Sequence, residues 1–550
     1  IIQHMRKANE ILRELLKLRG ISSNEDISEF LSEMPKRTYD PFLLLNMKAG
    51  VDLILSEAKA GTKICVYGDY DADGVTSVCI MLRMLGNLTD NLIHYIPSRF
   101  DEGYGLNSEA VRKLAEEGVG LLITVDCGSV SCSEVELAKE LGMKVIVTDH
   151  HSIDDVKADC ILINPRQSEC KYPFKGLAGC GVAFKMAQAI QQTAGLPKAA
   201  LNDLLDLVAV GTVGDVMPLV DENRTMVKYG LNKINAASRI SMKKLAEGIS
   251  IKWVTSENIA FGIAPHINAA GRIADAEEAV KLFMTEDLDI IERQVDKLIE
   301  YNGMRKQYQE SAYKKGSDII ERDFADKDFM LLRMDDIHEG IAGIVAGKLK
   351  DMYNRPTAIV TPTKEGFLKG TGRSIENVDI YALLKRNSAL FEKFGGHRSA
   401  CGFTVREELE DELRDSLNRE MESLKGDDPD IFHREIKWDM EIRPDEVSEE
   451  LVKDIERMGP FGEMNPRPCF VIRNVIIANV RFMGNDMTHA RFTGISQEGG
   501  RIECVLFKRA QEYKDILSCP ERSADIKGNL ELQVWKGIKK LQFIVEEIIS

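Results

Sequence analysis

The chain has 550 residues, 44% of them hydrophobic and 29% charged, with a net charge of −16. That composition excludes a largely disordered chain and predicts three or four globular domains of about 100–200 residues each. The acidic balance argues against a generic nucleic-acid binder held by net charge alone. No run reaches the ~18 apolar residues of a membrane helix; the segment Val78 to Leu85 is interrupted by Arg83. Ile1 to Arg19 is charged and helix-patterned and lacks the apolar block of a secretory signal, so a cytoplasmic protein without membrane attachment is expected. Eleven scattered cysteines, with no Cys-x-x-Cys pair, predict reduced thiols with neither disulfides nor zinc.

In chain order, residues 1–48 read as a lead of two short helices with Leu12, Leu15, Leu16 and Leu18 on an apolar side. From Ile64 short apolar runs alternate with amphipathic helices: Ile64–Tyr67, Leu121–Val125 and Lys144–Thr148 are strands, and Ser108–Glu117 and Ser133–Leu141 are helices. This alternation predicts an α/β fold with a doubly wound parallel sheet over residues 49–225. A helical connector follows over 226–322, including a long helix from Leu288 to Ile320 with a break expected near Gly303. A second mixed α/β unit is expected over 323–425. The acidic stretch over 405–432, at its end, carries Leu409, Leu413, Leu417, Met421 and Leu424 at helical spacing, which predicts a solvated helix. Residues 433–550 read as all β, a small barrel ending in a hairpin that turns at Trp535-Lys536-Gly537. The last 86 residues carry a local net charge of +3.

Chemistry enters at Gly68-Asp69-Tyr70-Asp71-Ala72-Asp73-Gly74. A calcium EF-hand is excluded because the twelfth loop position is Ile80, where a bidentate Glu is required. A helix-capping turn explains one Asp, whereas three carboxylates in five residues repel one another unless a cation neutralises them. Two further strands end in Asp126-Cys-Gly and Asp149-His150-His151. Ligands of open parallel sheets bind beyond the carboxyl ends of the strands, so these segments deliver five aspartates and two histidines to one edge. Carboxylates with a neutral imidazole suit Mn²⁺ or Mg²⁺. Asp215, before Met217-Pro218, is a fourth candidate that taken alone reads as a turn residue.

Gly68–Gly74, Val125-Asp-Cys-Gly128, Asp149-His-His151 and Val213-Gly-Asp215 together resemble the four ordered motifs of the DHH phosphoesterase family. Ile96–Leu106, Gly179–Lys185, Ile263–Arg272 and Gly395–Gly402 resemble its RecJ branch, which comprises single-strand-specific DNA exonucleases. The resemblance covers residues ~50 to ~425, with the C-terminal β-region fitting an OB-fold and residues 323–425 a DHHA1-like domain. It implies two divalent ions bridged by Asp126. Asp71 would hold one ion, and Asp73, His150 and Asp215 the other. Asp69 would ligate or support, and His151 would face the scissile phosphate or hold a water. It further implies that Gly395, Gly396 and His397 contact the nucleic acid across the cleft, and that Arg99, Arg373 and Ser374 grip a terminal phosphate. Arg272 closes a phosphate-binding motif in which His266 stands where the family pattern has Arg.

In the β-region, Arg467, Arg473, Arg481, Arg491, Arg501, Lys508, Arg509, Lys536, Lys539 and Lys540 interleave with Phe470, Phe482, Phe492, Phe507 and Trp535. Such mixing suits a single-strand platform, although half of those aromatics alternate as core residues do. The expected function is single-strand-specific exonuclease action, 5′→3′ as the resemblance implies, in DNA repair and recombination. Two alternatives stand beside it: a phosphodiesterase for short oligonucleotides or cyclic dinucleotides, and a catalytically inactive Cdc45-like DNA-binding scaffold. Single-stranded DNA is the expected partner, with a single-strand-binding protein or a helicase as candidate protein partners, and a monomer is favoured.

Overall fold

The computed structural model describes residues 6–99, 102–103, 105–153, 156–484, 486–519, 523–535 and 538–549. Strands β1 (Ile64–Tyr67), β2 (Leu92–Tyr95), β3 (Leu121–Val125), β4 (Lys144–Thr148) and β5 (Ile161–Ile163) form one parallel sheet in the order β2-β1-β3-β4-β5. Successive side chains of a strand point to opposite faces, and here both faces are covered. Ile64, Val66, Leu121, Ile123 and Ile146 enter one core, while Cys65, Tyr67, Leu122, Val145 and Val147 enter a second. That double burial explains why these strands read as unbroken apolar runs. The strand order reverses between β1 and β3, which opens a crevice at their carboxyl ends. The eleven cysteines are all unpaired thiols.

The connecting helix runs from Leu288 to Asp323 as 36 uninterrupted residues, so the break expected at Gly303 does not occur. A mid-helix glycine costs only about 1 kcal/mol. Both ends are anchored, Ile291, Val295 and Leu298 in the first unit's core and Ile320 in the second's.

The second sheet holds β6 (Met330–Arg333), β7 (Thr357–Pro362), β8 (Phe367–Arg373), β9 (Phe391–His397) and β10 (Ala400–Arg406), in the order β6-β7-β8-β10-β9. Helix Glu339–Tyr353 packs on β7 and β8. Helices Ile380–Arg386 and Glu410–Asp427 share a core with Phe403 and Val405 of β10. The acidic segment is therefore a helix docked through Leu413, Leu417 and Met421 with its charges outward.

The third sheet comprises β11 (Met440–Glu441), β12 (Phe470–Met483), β13 (His489–Ile495), β14 (Arg501–Leu506), β15 (Ser523–Trp535) and β16 (Ile538–Ile549). Pairing of β12 with β15 closes five of these strands into a barrel. Trp535 pairs with Ile538 in the register of the β15–β16 hairpin; its turn residues Lys536 and Gly537 lie outside the described residues.

The N-terminal helices Ala8–Leu18 and Asn24–Leu31 belong physically to this barrel. Ile11, Leu12, Leu15 and Leu16 share its core with Leu451, Ile455 and Phe470, and Arg6 Nε donates to Glu446 at 3.0 Å. Leu18 is the exception to the expected apolar side, at 59% exposed. The barrel returns to the first unit through Leu219 N donating to Glu463 O at 2.8 Å and an Arg467–Glu257 ion pair at 2.9 Å. Among the described residues no helix is long and apolar enough to cross a membrane.

Candidate metal centre

β1 ends at Tyr67, and the chain turns through Gly68–Asp71 into the buried helix Ala72–Leu85. Asp71 is that helix's N-cap: its Oδ1 accepts the amides of Asp73 and Gly74 at 2.9 and 3.0 Å. The capping role thus accounts for one oxygen of one carboxylate only. Gly74 lies so close to the turn that a Cβ there would meet the Asp69 carbonyl oxygen at 2.3 Å. Asp126 follows β3 with φ +61, a left-handed conformation that Asp tolerates better than most residues. Asp215 caps the C-terminal end of helix Leu205–Gly214, which is an element of a different kind from the three strands.

These residues converge. Ligand atoms of Asp69, Asp71 and Asp126 lie within 4.8 Å of one another, and so do those of Asp73, His150 and Asp215. His150 Nε2 stands 3.1 Å from Asp126 Oδ1, 3.5 Å from Asp215 Oδ2 and 3.7 Å from Asp73 Oδ2. Asp126 therefore lies between the two groups.

The electrostatics suit a cation. Burial, and then neighbouring Asp73, push the Asp126 carboxyl far above the usual carboxylate range; burial and Asp71 do the same to Asp69. Burial followed by Asp73 also raises Asp71 and pushes Asp215 up to about 8. Asp69 Oδ1, Asp126 Oδ1 and both ring nitrogens of His150 are buried without a hydrogen-bond partner. Burial lowers the His150 pKa and keeps its ring neutral, the form that offers a lone pair to a metal. Buried polar groups are normally paired, so orphaned oxygens and an orphaned imidazole facing one another fit divalent cations with oxygen-rich coordination.

The sequence pattern did not reveal three supporting contacts. Asp73 is oriented by the first two amides of helix Gly179–Ala194: Gly179 N and Cys180 N donate to its two oxygens at 2.6 and 2.8 Å, using the donors every helix leaves unpaired at its start. Asp149 accepts the amides of Ser129, His150 and His151 and, at 2.7 Å, the ring Nδ1–H of His151. Burial opposes the charge of His151, but the hydrogen bond it donates to Asp149 prevails and raises its pKa to about 9. The same bonds outweigh burial at Asp149 and hold it ionised. Asn268 accepts from Ala72 N at 2.7 Å, tying helix Ala264–Ile273 to the Asp-rich turn.

A basic group faces the acidic one. Arg99 stacks over Tyr70, its guanidinium carbon 4.9 Å from the ring centroid. Burial, then the field of Arg99, lowers Arg272 to about 10, and Arg99 likewise contributes to a lowered pKa at Arg373. Arg272 and Arg373, from two other segments, therefore both lie within electrostatic reach of Arg99. Arg272 Nη1 donates to Gly340 O at 2.8 Å, joining the first unit to the second. Ser374 is turned inward, its hydroxyl donating to Val378 O at 2.7 Å, which leaves no hydrogen for a phosphate in this conformation. His397 is exposed on β9, and its Nδ1 accepts from Ser399 N at 3.3 Å, so Nε2 carries the hydrogen. Gly395 is open to solvent, whereas Gly396 (φ +140) is obligatory: a Cβ there would meet the Ala400 carbonyl oxygen at 2.3 Å. His266 is buried and bonded on both sides, Nδ1 to Gly262 O and Nε2 to the Asn302 amide, and so acts as a neutral strut. In the motif Ile96–Leu106, Phe100, Asp101 and Tyr104 lie outside the described residues.

In the barrel, several cations expected to track phosphates hold carboxylates: Arg467 pairs with Glu257 and Glu456, Arg473 with Glu441 and Asp525, Arg509 with Glu512, and Lys540 with Glu503. Phe470 and Phe492 are core residues, and Phe507 is 51% exposed. Arg481 and Arg491 stand directly opposite each other across β12 and β13, a like-charged pairing that is unfavourable until an anion joins it.

A parallel sheet whose reversal crevice gathers aspartates and histidines within ligating distance of one another, with arginines close by, is the architecture of a phosphoesterase acting on anionic phosphodiesters. The chain matches the model of the DHH family, N-terminal domain, over residues 63–212, the DHHA1 domain over 326–423 and the RecJ OB domain over 438–547. It is 35% identical to the single-stranded-DNA-specific exonuclease RecJ of Bacillus subtilis (strain 168) over 544 residues, 98% of this chain and 67% of that protein. Identity to RecJ of Haemophilus influenzae is 31%, over 98% of this chain and 96% of the relative. The crystal structure of RecJ from Thermus thermophilus in complex with Mn²⁺ superposes with a TM-score of 0.83 at 27% identity, covering 98% of this chain and 75% of that one. The chain belongs to the RecJ family of single-stranded-DNA-specific exonucleases.

Proposed function

We propose that this chain hydrolyses single-stranded DNA from an end, releasing nucleotides, with Mn²⁺ or Mg²⁺ as cofactor and in the service of DNA repair and recombination. The observation that carries the reading is the convergence of ligand atoms at Asp126, with Asp69 and Asp71 and with His150 beside Asp73 and Asp215, where Asp69 Oδ1, Asp126 Oδ1 and the His150 ring nitrogens are buried and otherwise unpartnered. Asp69, Asp71 and Asp126 would hold one ion, and Asp126, Asp73, His150 and Asp215 the other. Bound there, the ions supply a water of lowered pKa and neutralise charge on the attacked phosphate. Gly179 N and Cys180 N fix the Asp73 carboxylate, and Asp149 fixes the His151 ring. His151, protonated at neutral pH, would stabilise the phosphate and could give a proton to the leaving oxygen.

Arg99, Arg272 and Arg373 would take the terminal phosphate, which sets the start of hydrolysis at an end, the 5′ end in this reading. Gly395, Gly396 and His397 would contact the strand from the second unit, with the His397 Nε2–H available to a phosphate oxygen. Arg481, Arg491 and the exposed Phe507 of the barrel would carry the strand further out. Ser374 would support this arrangement through Val378. The functional units of this reading are residues 49–225 for catalysis, 226–322 as connector, 323–425 for substrate binding, and 433–550 with the lead 1–48 for strand binding. One chain supplies every site residue, so a monomer suffices. The site of action is the cytoplasm, and a helicase or a single-strand-binding protein is the class of partner that would present such strands.

The test is the purified chain with Mn²⁺ on 5′- and 3′-labelled single strands, duplexes and cyclic dinucleotides. Mononucleotide release from the single strand alone, abolished by chelation, supports the proposal. Preferential cleavage of cyclic dinucleotides, or strand binding without hydrolysis, refutes it.

A further inference from the structure

Arg99 stands between β2 and helix Ser108–Glu116, and three residues after it comes Glu102, a half-buried carboxylate. Glu102 folds this stretch back on itself. Its Oε1 accepts Ser98 N at 2.9 Å, while its Oε2 accepts the Tyr95 hydroxyl at 2.9 Å and Asn107 Nδ2 at 3.0 Å. The amides of Glu102 and Gly103 in turn donate to Ser98 O at 2.9 and 3.1 Å. Arg99 therefore projects from a turn that is closed twice through the backbone and once more through a side chain. Bonds to an ionised carboxylate are charge-assisted and about twice as strong as neutral ones. Burial, and then the bond to Glu102, raise the Tyr95 pKa and keep its hydroxyl a donor.

The same residues tie this turn to the metal centre. Tyr67 ends β1 and Tyr95 ends β2, paired in register with their rings stacked at 5.4 Å. Tyr67 leads directly into the Gly68–Asp73 run, and Gly68 N donates to Tyr95 O at 3.0 Å. The Tyr67 hydroxyl donates to Gly105 O at 2.9 Å and accepts Asn107 Nδ2 at 3.2 Å, the same amide that reaches Glu102. Asn107 is itself fixed as the N-cap of helix Ser108–Glu116, its Oδ1 accepting Ala110 N at 2.8 Å. One network thus runs from the aspartate turn through two tyrosines and Asn107 to Glu102 and the base of Arg99. Among the described residues Glu102 joins none of the ligand groups of the metal centre. Its route to the substrate is Arg99. An arginine loses much side-chain freedom when it grips a phosphate, and a base fixed beforehand reduces what remains to be ordered.

We propose that Glu102 is a positioning residue that holds Arg99 at a set place beside the metal centre and thereby confers preference for a phosphorylated 5′ end. The inference rests on the reading of Arg99 as part of the terminal-phosphate grip and adds what orders that grip.

The full-length chain is assayed with Mn²⁺ on oligothymidylates bearing a 5′-phosphate or a 5′-hydroxyl. In Glu102→Ala, kcat/KM for the phosphorylated strand falls about tenfold, through KM with kcat retained, because the binding lost is uniform along the reaction. The hydroxyl-ended strand has no terminal phosphate to grip and keeps its kcat/KM within about twofold of wild type. Tyr95→Phe, which keeps the stacked ring and removes one donor, gives the same shift at smaller amplitude, and decides the matter if Glu102→Ala does not fold. Arg99→Ala combined with Glu102→Ala loses no more than Arg99→Ala alone, the non-additivity of two residues that act as one unit. Equal loss on both strands, an unchanged preference for the phosphate, or additive losses in the double variant overturns the proposal, equal loss marking a residue that serves the fold alone. A wild-type chain that cuts both strands with the same kcat/KM removes the phosphate grip itself, and one that cuts neither removes the exonuclease reading; either result takes the proposal with it.

Discussion

Gly179→Ala separates positioning of the metal ligands from the ligands themselves. A Cβ at residue 179 would lie 2.4 Å from Asp126 Oδ1, 2.6 Å from its Cβ and 2.7 Å from its Cγ, where ordinary contact begins at 3.4 Å. The Asp126 backbone cannot retreat freely, because its amide is bonded to Thr148 O at 3.0 Å and its φ is already +61. The shared carboxylate must therefore move by nearly an ångström, or helix Gly179–Ala194 must back away and take its amides off Asp73. A misplacement of about 1 Å at a reacting centre costs about 10²-fold in rate. Alanine itself favours a helix over glycine by up to ~1 kcal/mol, so overpacking of about 1–3 kcal/mol is partly offset and the chain stays folded. Steady-state hydrolysis of a labelled single strand at saturating Mn²⁺ measures the effect, with calorimetry for Mn²⁺ affinity. Gly181→Ala is the control: its Cβ would meet Leu177 at an ordinary 3.4 Å, and full activity is expected. A Gly179→Ala enzyme within threefold of wild type would refute the reasoning.

Asp126→Ala should lose more than ~4 kcal/mol of transition-state stabilisation while the metal-free fold is retained; a variant keeping a tenth of wild-type turnover would contradict the assignment. With a chelator present, Asp69, Asp71, Asp126 and Asp215 hold protons in the folded chain above the ordinary carboxyl value of 3.8, Asp215 up to about 8. The contribution of Asp215 is present at low pH and is lost as pH rises through about 8, and the other three act in the same direction, so Tm of the metal-free chain should fall as pH rises from about 4 through 8 and Mn²⁺ should flatten the curve; a chelated Tm independent of pH would count against it. Arg481→Ala with Arg491→Ala should weaken long-strand binding and reduce the salt slope by about two, leaving dinucleotide hydrolysis unchanged. A closed single-stranded circle should resist cleavage, because the arginine group requires an end; nicking by wild type but not by Asp126→Ala would show otherwise.

The parallel sheet and its acidic crevice could be read from the sequence because each strand is buried on both faces and ends in its ligand, so pattern and chemistry coincide within a few residues. Asp215 became readable only through the family resemblance, since its helical segment carries no strand signal. Cys180 and Asn268 escaped notice because their parts are played over distances of more than a hundred residues, in Cys180's case by a backbone amide that any residue type could supply. Asp149 was hidden by its neighbours: in a run of Asp-His-His nothing marks the first residue as the one that orients the third. The docking of Leu12 and Leu16 onto a barrel some 440 residues away is likewise invisible to periodicity, which shows that a helix face is apolar and not what covers it.

The central claim is that Asp126 joins two cation sites, one with Asp69 and Asp71 and one with Asp73, His150 and Asp215. Anomalous diffraction from crystals grown with Mn²⁺ tests it directly. Two anomalous peaks flanking the Asp126 carboxylate, about 4 Å apart and both absent in Asp126→Ala, are the predicted result. A single peak, or two peaks that survive the loss of Asp126, would contradict it.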